Sequence, residues 1–365
     1  MTQDASLRHA IRLLSLGASL SAEETAAAFG VVMRGEATPV QTAALLMGLR
    51  AKGETAAELA GAAHALRCAM VRLDAADPDA LVDTCGTGGG TVGTLNISTA
   101  SAFVVAGAGV PVAKHGNRSY TSRSGSADVL EALGIDIALP PARASDVLRG
   151  AGLVFLFAPT YHPAMRHVGP VRKELGVATI MNLLGPLANP AGVRRQVIGV
   201  SSEDRAPLVA AALARLGAAH ALVLHAAVGM DEVSPSGATR VWEVREGEVR
   251  EWTILPDHHG LECDDLGALA GGEPGENAVR VERLLDGAGH RAERCAVLLN
   301  AAAALYVSGN GWTLGESVAR ARAALDSGAG AGALAALRSA AGSSSDERRE
   351  GPGDAPPGPT LSTSG

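Results

Sequence analysis

The sequence predicts an α/β protein, with a small all-helical domain and a large α/β domain whose central, mostly parallel sheet is flanked by helices. Three observations lead there. The first 72 residues read as helices with repeated start signals. From residue 80 short apolar runs alternate with helical stretches, the pattern of βαβ units in a parallel sheet. The chain has 365 residues, 47% of them hydrophobic, 19% charged and 3% aromatic, a globular composition packed by aliphatic side chains and long enough for two domains.

The N-terminal helices are bounded by local chemistry. Ser21 with Glu24 and Thr55 with Glu58 fit the capping box, in which a hydroxyl accepts from the N3 amide and the carboxylate reaches back to the cap amide. Thr38-Pro39 opens another helix, and Gly53 follows its last periodic residue. Strands are expected at 80–85, 111–116, 135–139 and 153–159, with helices from about Thr99, over 126–134 and over 144–152. A second helical patch spans 162–177. The α/β pattern resumes with a strand at 195–200, a helix from Ser202 to Leu216 and a strand at 219–226. Residues 241–255 alternate and turn at Glu246-Gly247, as an antiparallel hairpin at the sheet edge does. Helices return at 291–308 and 313–326, the second with a box at Thr313 and Glu316. From 341 to 365 a mixture of Gly, Ser, Pro and charge cannot bury a core and reads as a disordered tail. No internal repeat stands out.

Several classes of function are excluded by composition. Cys68, Cys85, Cys263 and Cys295 are scattered without a C-x-x-C pair, so neither a zinc site nor a disulfide framework is indicated. Net charge is -7 and no Lys/Arg run exceeds two residues, which argues against nucleic acid as a partner. Residues 84–113 carry no charge before Lys114, yet the Gly, Thr, Ser and Asn of their first half would strand polar groups in lipid, so no membrane span is expected. The N-terminus lacks a long apolar stretch, and the expected location is the cytoplasm.

Three segments carry chemistry. Asp83-Thr84-Cys85-Gly86-Thr87-Gly88-Gly89-Gly90 follows a strand and precedes Asn96-Ile97-Ser98-Thr99 at a helix start. Glycines admit close backbone approach, and amides at a helix N-terminus attract an anion, so this is phosphate-site chemistry. It is neither a Rossmann fingerprint nor a P-loop, and a sharp strand-to-helix turn without a ligand stays open. Lys114-His115-Gly116-Asn117-Arg118-Ser119, continuing through Ser122, Ser124, Gly125 and Ser126, is an anion clamp or a solvated turn at a strand end. Asp231-Glu232 after the strand at 219–226 hold Mg²⁺ or are simply solvated.

The segments GTGG…NISTAS, KHGNRSYTSRSGSADVLEALG, FLFAPTYHPAMRHVGPVRKELGVATIMNLLGPLANP and GMDEVS together resemble the anthranilate phosphoribosyltransferases of tryptophan biosynthesis, in the nucleoside phosphorylase/phosphoribosyltransferase fold family. The resemblance runs to about residue 330. Pyrimidine nucleoside phosphorylases share the fold but carry a different loop after the lysine. The resemblance implies a homodimer, with a helical domain of 1–75 plus 161–192 and an α/β domain of 76–160 plus 193–335. It implies transfer of the phosphoribosyl group of phosphoribosyl pyrophosphate (PRPP) to anthranilate with Mg²⁺. By that analogy Gly86, Gly89, Gly90, Thr94, Asn96, Ser98, Thr99, Lys114, Arg118, Ser119, Ser122 and Ser126 bind PRPP. Gly86, Asn117, His162, Arg172 and Pro186 face anthranilate, and Ser98, Asp231 and Glu232 hold the metal. Arg172 suits the acceptor carboxylate through its planar fork.

The chain departs from the family pattern in two places. Where GTGGDG is usual it has Gly90-Thr91, which removes a carboxylate beside the pyrophosphate, and the usual His-Gly before the acids reads His225-Ala226. Two other functions share the motifs: a phosphoribosyltransferase of specialised metabolism with another aromatic acceptor, and a non-catalytic PRPP- or nucleotide-binding regulator.

Overall fold

The structure is a computed structural model that describes residues 3–88, 92–119 and 123–342. Four helices open the chain: α1 (Gln3–Ser15), α2 (Ala22–Met33), α3 (Pro39–Lys52) and α4 (Ala56–Ala69). Both expected capping boxes form at Ser21 and Thr55, and Thr38 builds a third with Gln41. Each cap is worth about 1 kcal/mol, so most of the stability comes from burial. Phe29, Leu45, Leu49 and Leu59 pack in one core with Val168, Ile180, Leu184 and Leu187 from the second helical patch. That core runs on into one face of the sheet through Val209, Ala221 and Val223.

The α/β part follows as β1 (Val82–Gly86), α5 (Ile97–Gly107), β2 (Val112–Gly116), α6 (Ser126–Ala132), α7 (Pro141–Ala151) and β3 (Leu153–Phe157). The helical patch contributes α8 (Ala158–Tyr161), α9 (Gly169–Leu175) and α10 (Met181–Leu184). Then come β4 (Arg195–Gly199), α11 (Ala206–Arg215), β5 (His220–Ala226), β6 (Thr239–Arg245) and β7 (Glu248–Ile254). Helices α12 (Pro274–Leu285), α13 (Arg291–Val307), α14 (Leu314–Asp326) and α15 (Ala329–Ala341) complete the described chain. The seven strands lie in the order β3-β2-β1-β4-β5-β6-β7, the first five parallel and the last two antiparallel. The expected hairpin turns at Glu246 (φ 53) and Gly247 (φ 80), the two left-handed residues a tight two-residue turn requires.

One expected strand is absent. Residues 135–139 bury Ile135 and Ile137, but their amides turn to Leu130, to Ala341 at the end of α15 and to the Asp136 side chain instead of a neighbouring strand. The alternation reported burial, and β3 holds the place beside β2. Helices α12 and α15 were not anticipated. The expected PRPP residues Gly89, Gly90 and Ser122 lie outside the described residues, as do residues 343–365 of the expected tail. Among the described residues no helix is long and apolar enough to cross a membrane.

Candidate active site

Strand β1 connects to β2 on one side and pairs with β4 on the other, so the sheet has its topological switch between β1 and β4, where open α/β sheets bind ligands beyond the carboxyl ends. Glycines end both strands, Gly86 opposite Gly199. A Cβ on Gly199 would lie 1.5 Å from the Asp231 carbonyl oxygen, and one on Gly86 would lie 2.9 Å from Asp231 Oδ2. The missing side chains are what let the loop after β5 cross the switch point and bring its two acids to the glycine-rich turn.

Lys114 is buried at the centre of this crevice. Its Nζ donates to the Thr84 carbonyl, to Thr84 Oγ1 at 3.5 Å and to Ser98 Oγ at 3.1 Å. Burial lowers its pKa, while Asp83, Cys85 and Glu232 oppose that shift. Across from it, burial raises the pKa of Asp231, partly countered by the Gly88 amide. Glu232 is pushed well above the usual carboxylate range, first by burial and then by repulsion from Asp231. Thr94 Oγ1 donates to Glu232 Oε1 at 3.2 Å, while Glu232 Oε2 is buried without a partner. An orphaned carboxylate oxygen beside a second acid is a site short of a cation. Among the described residues no group of three His, Cys, Asp or Glu side chains could hold a metal unaided. Two carboxylates with nearby hydroxyls are instead the partial oxygen set that Mg²⁺ completes with water and phosphate, so the residues present fit that ion.

Behind the lysine sits Asp83, fully buried and absent from the residues anticipated for the site. It accepts from the His115 amide at 3.2 Å, from Asn189 Nδ2 at 2.8 Å and from Gln196 Nε2 at 3.4 Å. Burial raises its pKa and Lys114 opposes this first, so the two buried charges offset one another. Asn189 also donates to the Ala113 carbonyl at 2.8 Å, and Gln196 to the Pro186 carbonyl at 2.9 Å. Through them the NLLGPLANP segment is fastened to three strands, with Arg67 of α4 donating to the Leu187 carbonyl at 2.6 Å. Asp83 heads the glycine-rich segment and Asn189 lies in NLLGPLANP, but neither segment signals that the two side chains meet.

Two histidines beside the NLLGPLANP segment are neutral. His115 Nδ1 faces the Gly185 carbonyl at 3.1 Å, so that nitrogen carries the proton and His115 Nε2 accepts from His162 Nε2 at 3.2 Å. Burial first, and then His162, lowers the His115 pKa to about 3; burial lowers that of His162 to about 4. Pro186 is buried beside them, and Arg172 stands half-buried on α9. Asn117 uses its side-chain oxygen on the Arg118 amide at 2.8 Å, and its carbonyl accepts from Ser126 Oγ at 3.3 Å.

The remaining anticipated residues divide. Thr99 is buried in the first turn of α5 with an unpartnered hydroxyl, and the Ser119 amide donates to Asp128 at 3.2 Å. Arg118 turns outward and is taken by Asp128 and by both oxygens of Glu131, so it reaches an anion in the crevice only by exchanging partners. A separate cavity of about 520 Å³ lies at the opposite, amino edge of the sheet between Arg194, Arg195, His220, Tyr306 and Trp312. Its Arg194 and Arg195 already serve Asp79 and the carbonyls of Gly217 and Val307.

A glycine-lined switch point with a buried lysine, a pair of acids and a helix N-terminus defines a site suited to a phosphate-bearing anion together with a divalent ion. In agreement, residues 8–70 match the glycosyl transferase family, helical bundle domain, and residues 78–331 the glycosyl transferase family, a/b domain. An anthranilate phosphoribosyltransferase of Bradyrhizobium sp. is 49% identical over 331 residues, 91% of this chain and 97% of that protein. The crystal structure of anthranilate phosphoribosyltransferase from Thermus thermophilus superposes with a TM-score of 0.85 at 45% identity, over 90% of this chain and 99% of that one. The enzyme from Saccharomyces cerevisiae in complex with PRPP and Mg gives 0.83 at 29% identity, over 92% and 98%. The chain belongs to the anthranilate phosphoribosyltransferase family.

Proposed function

We propose that this chain transfers the 5-phosphoribosyl group of PRPP to the amine of anthranilate, giving N-(5-phosphoribosyl)anthranilate and pyrophosphate. The observation that carries the reading is the juxtaposition of Lys114, Ser98 and Thr84 with the Asp231–Glu232 pair at the sheet's switch point. The amine nitrogen forms a bond to the anomeric carbon as the bond to pyrophosphate breaks, and the amine proton leaves to solvent. An aromatic amine is uncharged at neutral pH, so no base is needed before attack. When bound, Mg²⁺ supplies charge neutralisation for the leaving pyrophosphate.

The chain's own groups do the remainder. Asp231 and Glu232, with the Ser98 hydroxyl, would hold the ion. Lys114 adds a fixed cation at the end where negative charge develops, in a setting dry enough for that charge to count. Thr94, Asn96, Thr99, Ser119 and Ser126, with Gly86, surround the phosphoribosyl moiety, and Asn117, His162, Arg172 and Pro186 orient the acceptor. The helical unit of 1–75 plus 161–192 closes over the α/β unit of 76–160 plus 193–335 and supplies Arg172. A homodimer is implied by the family resemblance, and Leu16 (77% exposed) and Val40 (78%) are exposed apolar side chains of the helical unit. A cytoplasmic location is supported by four free cysteines.

The test is pyrophosphate release from PRPP and Mg²⁺ with a panel of aromatic amines. Anthranilate-dependent release is expected. Release only with a different acceptor would move the protein to specialised metabolism, and none at all, with PRPP still bound, would make it a binder.

A further inference from the structure

Asn96 stands at the N-cap of α5, where an asparagine side chain ordinarily accepts from the N2 or N3 amide. Here it makes no such bond. Its Oδ1 accepts from Asn277 Nδ2 at 3.0 Å and from Ser124 Oγ at 3.3 Å, and its Nδ2 donates to the Ser124 carbonyl at 3.2 Å. Two donors on one oxygen fix which end of the carboxamide is which. Asn277 lies 181 residues away on α12, 1% exposed, and its own Oδ1 is used by the Gly272 amide at 2.9 Å. The segment leading to it runs antiparallel along the exit of the glycine-rich turn: the Leu95 amide donates to Leu269 at 2.8 Å and the Gly271 amide to Gly93 at 3.1 Å. A Cβ on Gly271 would meet the Thr94 carbonyl at 2.5 Å, so the two backbones touch.

We infer that Asn277 is a positioning residue for PRPP: it holds the Asn96 carboxamide off the end of α5, leaving the Ser98 amide without a side-chain cap and available to the ligand's phosphate, while the Thr99 amide turns to the Asn96 carbonyl at 3.1 Å. The same bond ties together three parts of the crevice, namely the segment carrying Thr94, the start of α5 and the loop carrying Ser124 to Ser126. The inference rests on Asn96 being a PRPP contact.

Asn277→Asp separates this role from mere packing. It keeps the shape and still accepts from Gly272, but presents an oxygen where Asn96 Oδ1 needs a donor. Calorimetric titration of the full-length protein with PRPP and Mg²⁺ should show the dissociation constant raised about tenfold, the loss of roughly one hydrogen bond to a ligand-facing group. The KM for anthranilate should stay close to wild type, while the thermal midpoint falls because the new carboxylate is buried. Asn96→Ala should weaken PRPP by itself, and Asn277→Asp added to it should have little further effect, since both act on one carboxamide. Asn277→Ser, too short to reach Asn96, gives the same reading if the aspartate variant does not fold. Wild-type PRPP affinity in Asn277→Asp alongside weakened binding in Asn96→Ala, or additive losses, would overturn the inference while leaving the PRPP reading intact. Unchanged affinity in Asn96→Ala would remove that reading of Asn96 and the inference with it.

Discussion

The two halves of the crevice bury polar groups to opposite ends. Around the lysine, Asp83, Lys114, Asp231 and Glu232 are ionisable groups taken out of water, Asp83 and Lys114 opposing one another's shifts and the paired acids both raised by burial. Across the crevice His115 and His162 are equally buried, yet burial keeps them neutral and a backbone carbonyl fixes the tautomer of His115. The contrast suits the proposed transfer. Charge develops on a departing pyrophosphate and must meet charge already in place, while an uncharged amine needs orientation and a dry wall.

The largest expected effect tests the charged half. Asp231→Asn with Glu232→Gln keeps shape and removes both acids, so turnover should fall by at least ~10²-fold. The thermal midpoint measured without Mg²⁺ should stay the same or rise, because two buried carboxylates have been removed. A folded double variant with wild-type turnover and Mg²⁺ dependence would dissolve the comparison. Next, Arg172→Ala should raise the acceptor KM roughly 10- to 100-fold through loss of a charge-assisted pair, with PRPP KM nearly still. Steady-state rates with each substrate varied in turn decide it; equal changes in both constants would deny the acceptor half its separate role.

A smaller effect reads out the neutral half through stability. A histidine held at about 3 or 4 when folded takes up its proton first in the unfolded chain, near 6.5, so the unfolded state binds more protons as pH falls. Stability from the pair is fully present above pH 6.5 and drains away below it, by up to about 1.4 kcal/mol per proton per pH unit. Replacing both with Gln should flatten the acid limb between pH 6.5 and 4 in urea titrations. An unchanged slope would mean the pair is not held neutral. The smallest effect concerns Gly90, where Gly90→Asp should shift the Mg²⁺ optimum of the rate to lower concentration by supplying an oxygen ligand. Superimposable Mg²⁺ profiles would mean that the departure from GTGGDG is electrostatically silent.

What the sequence disclosed was mostly local. Capping boxes at Ser21, Thr55 and Thr313 are complete within four residues, and each forms as read. Helix α15, AGAGALAALRSAA, is rich in the good helix formers Ala and Leu, but two glycines in its first turns and the lack of a side-chain cap at Gly328 leave it without a start signal. It exists through packing: Leu334 and Leu337 are buried, and a Cβ on Gly107 of α5 would meet the Ala329 backbone at 2.6 Å, so two helices approach at glycine contact. The site divides likewise. Lys114, Ser98, Asp231 and Glu232 stood out by motif, whereas Asp83, Asn189, Gln196 and Asn277 matter through partners up to 181 residues away, which no local pattern encodes.

Those separations bear on how the chain is made. Asp83 emerges from the ribosome 106 residues ahead of Asn189 and 113 ahead of Gln196. At about 5–20 residues per second, the carboxylate waits roughly 6 to 20 s for the donors that make its burial tolerable. Its strand lies between β2, available early, and β4, available only with Gln196. The first four helices are in the same position, since half of the core they share comes from residues beyond 164. The nascent chain therefore holds one edge of β1 open for the synthesis of 113 residues, nearly a third of its length, and its helical face apolar for longer, and assembly of the crevice is the event that closes both.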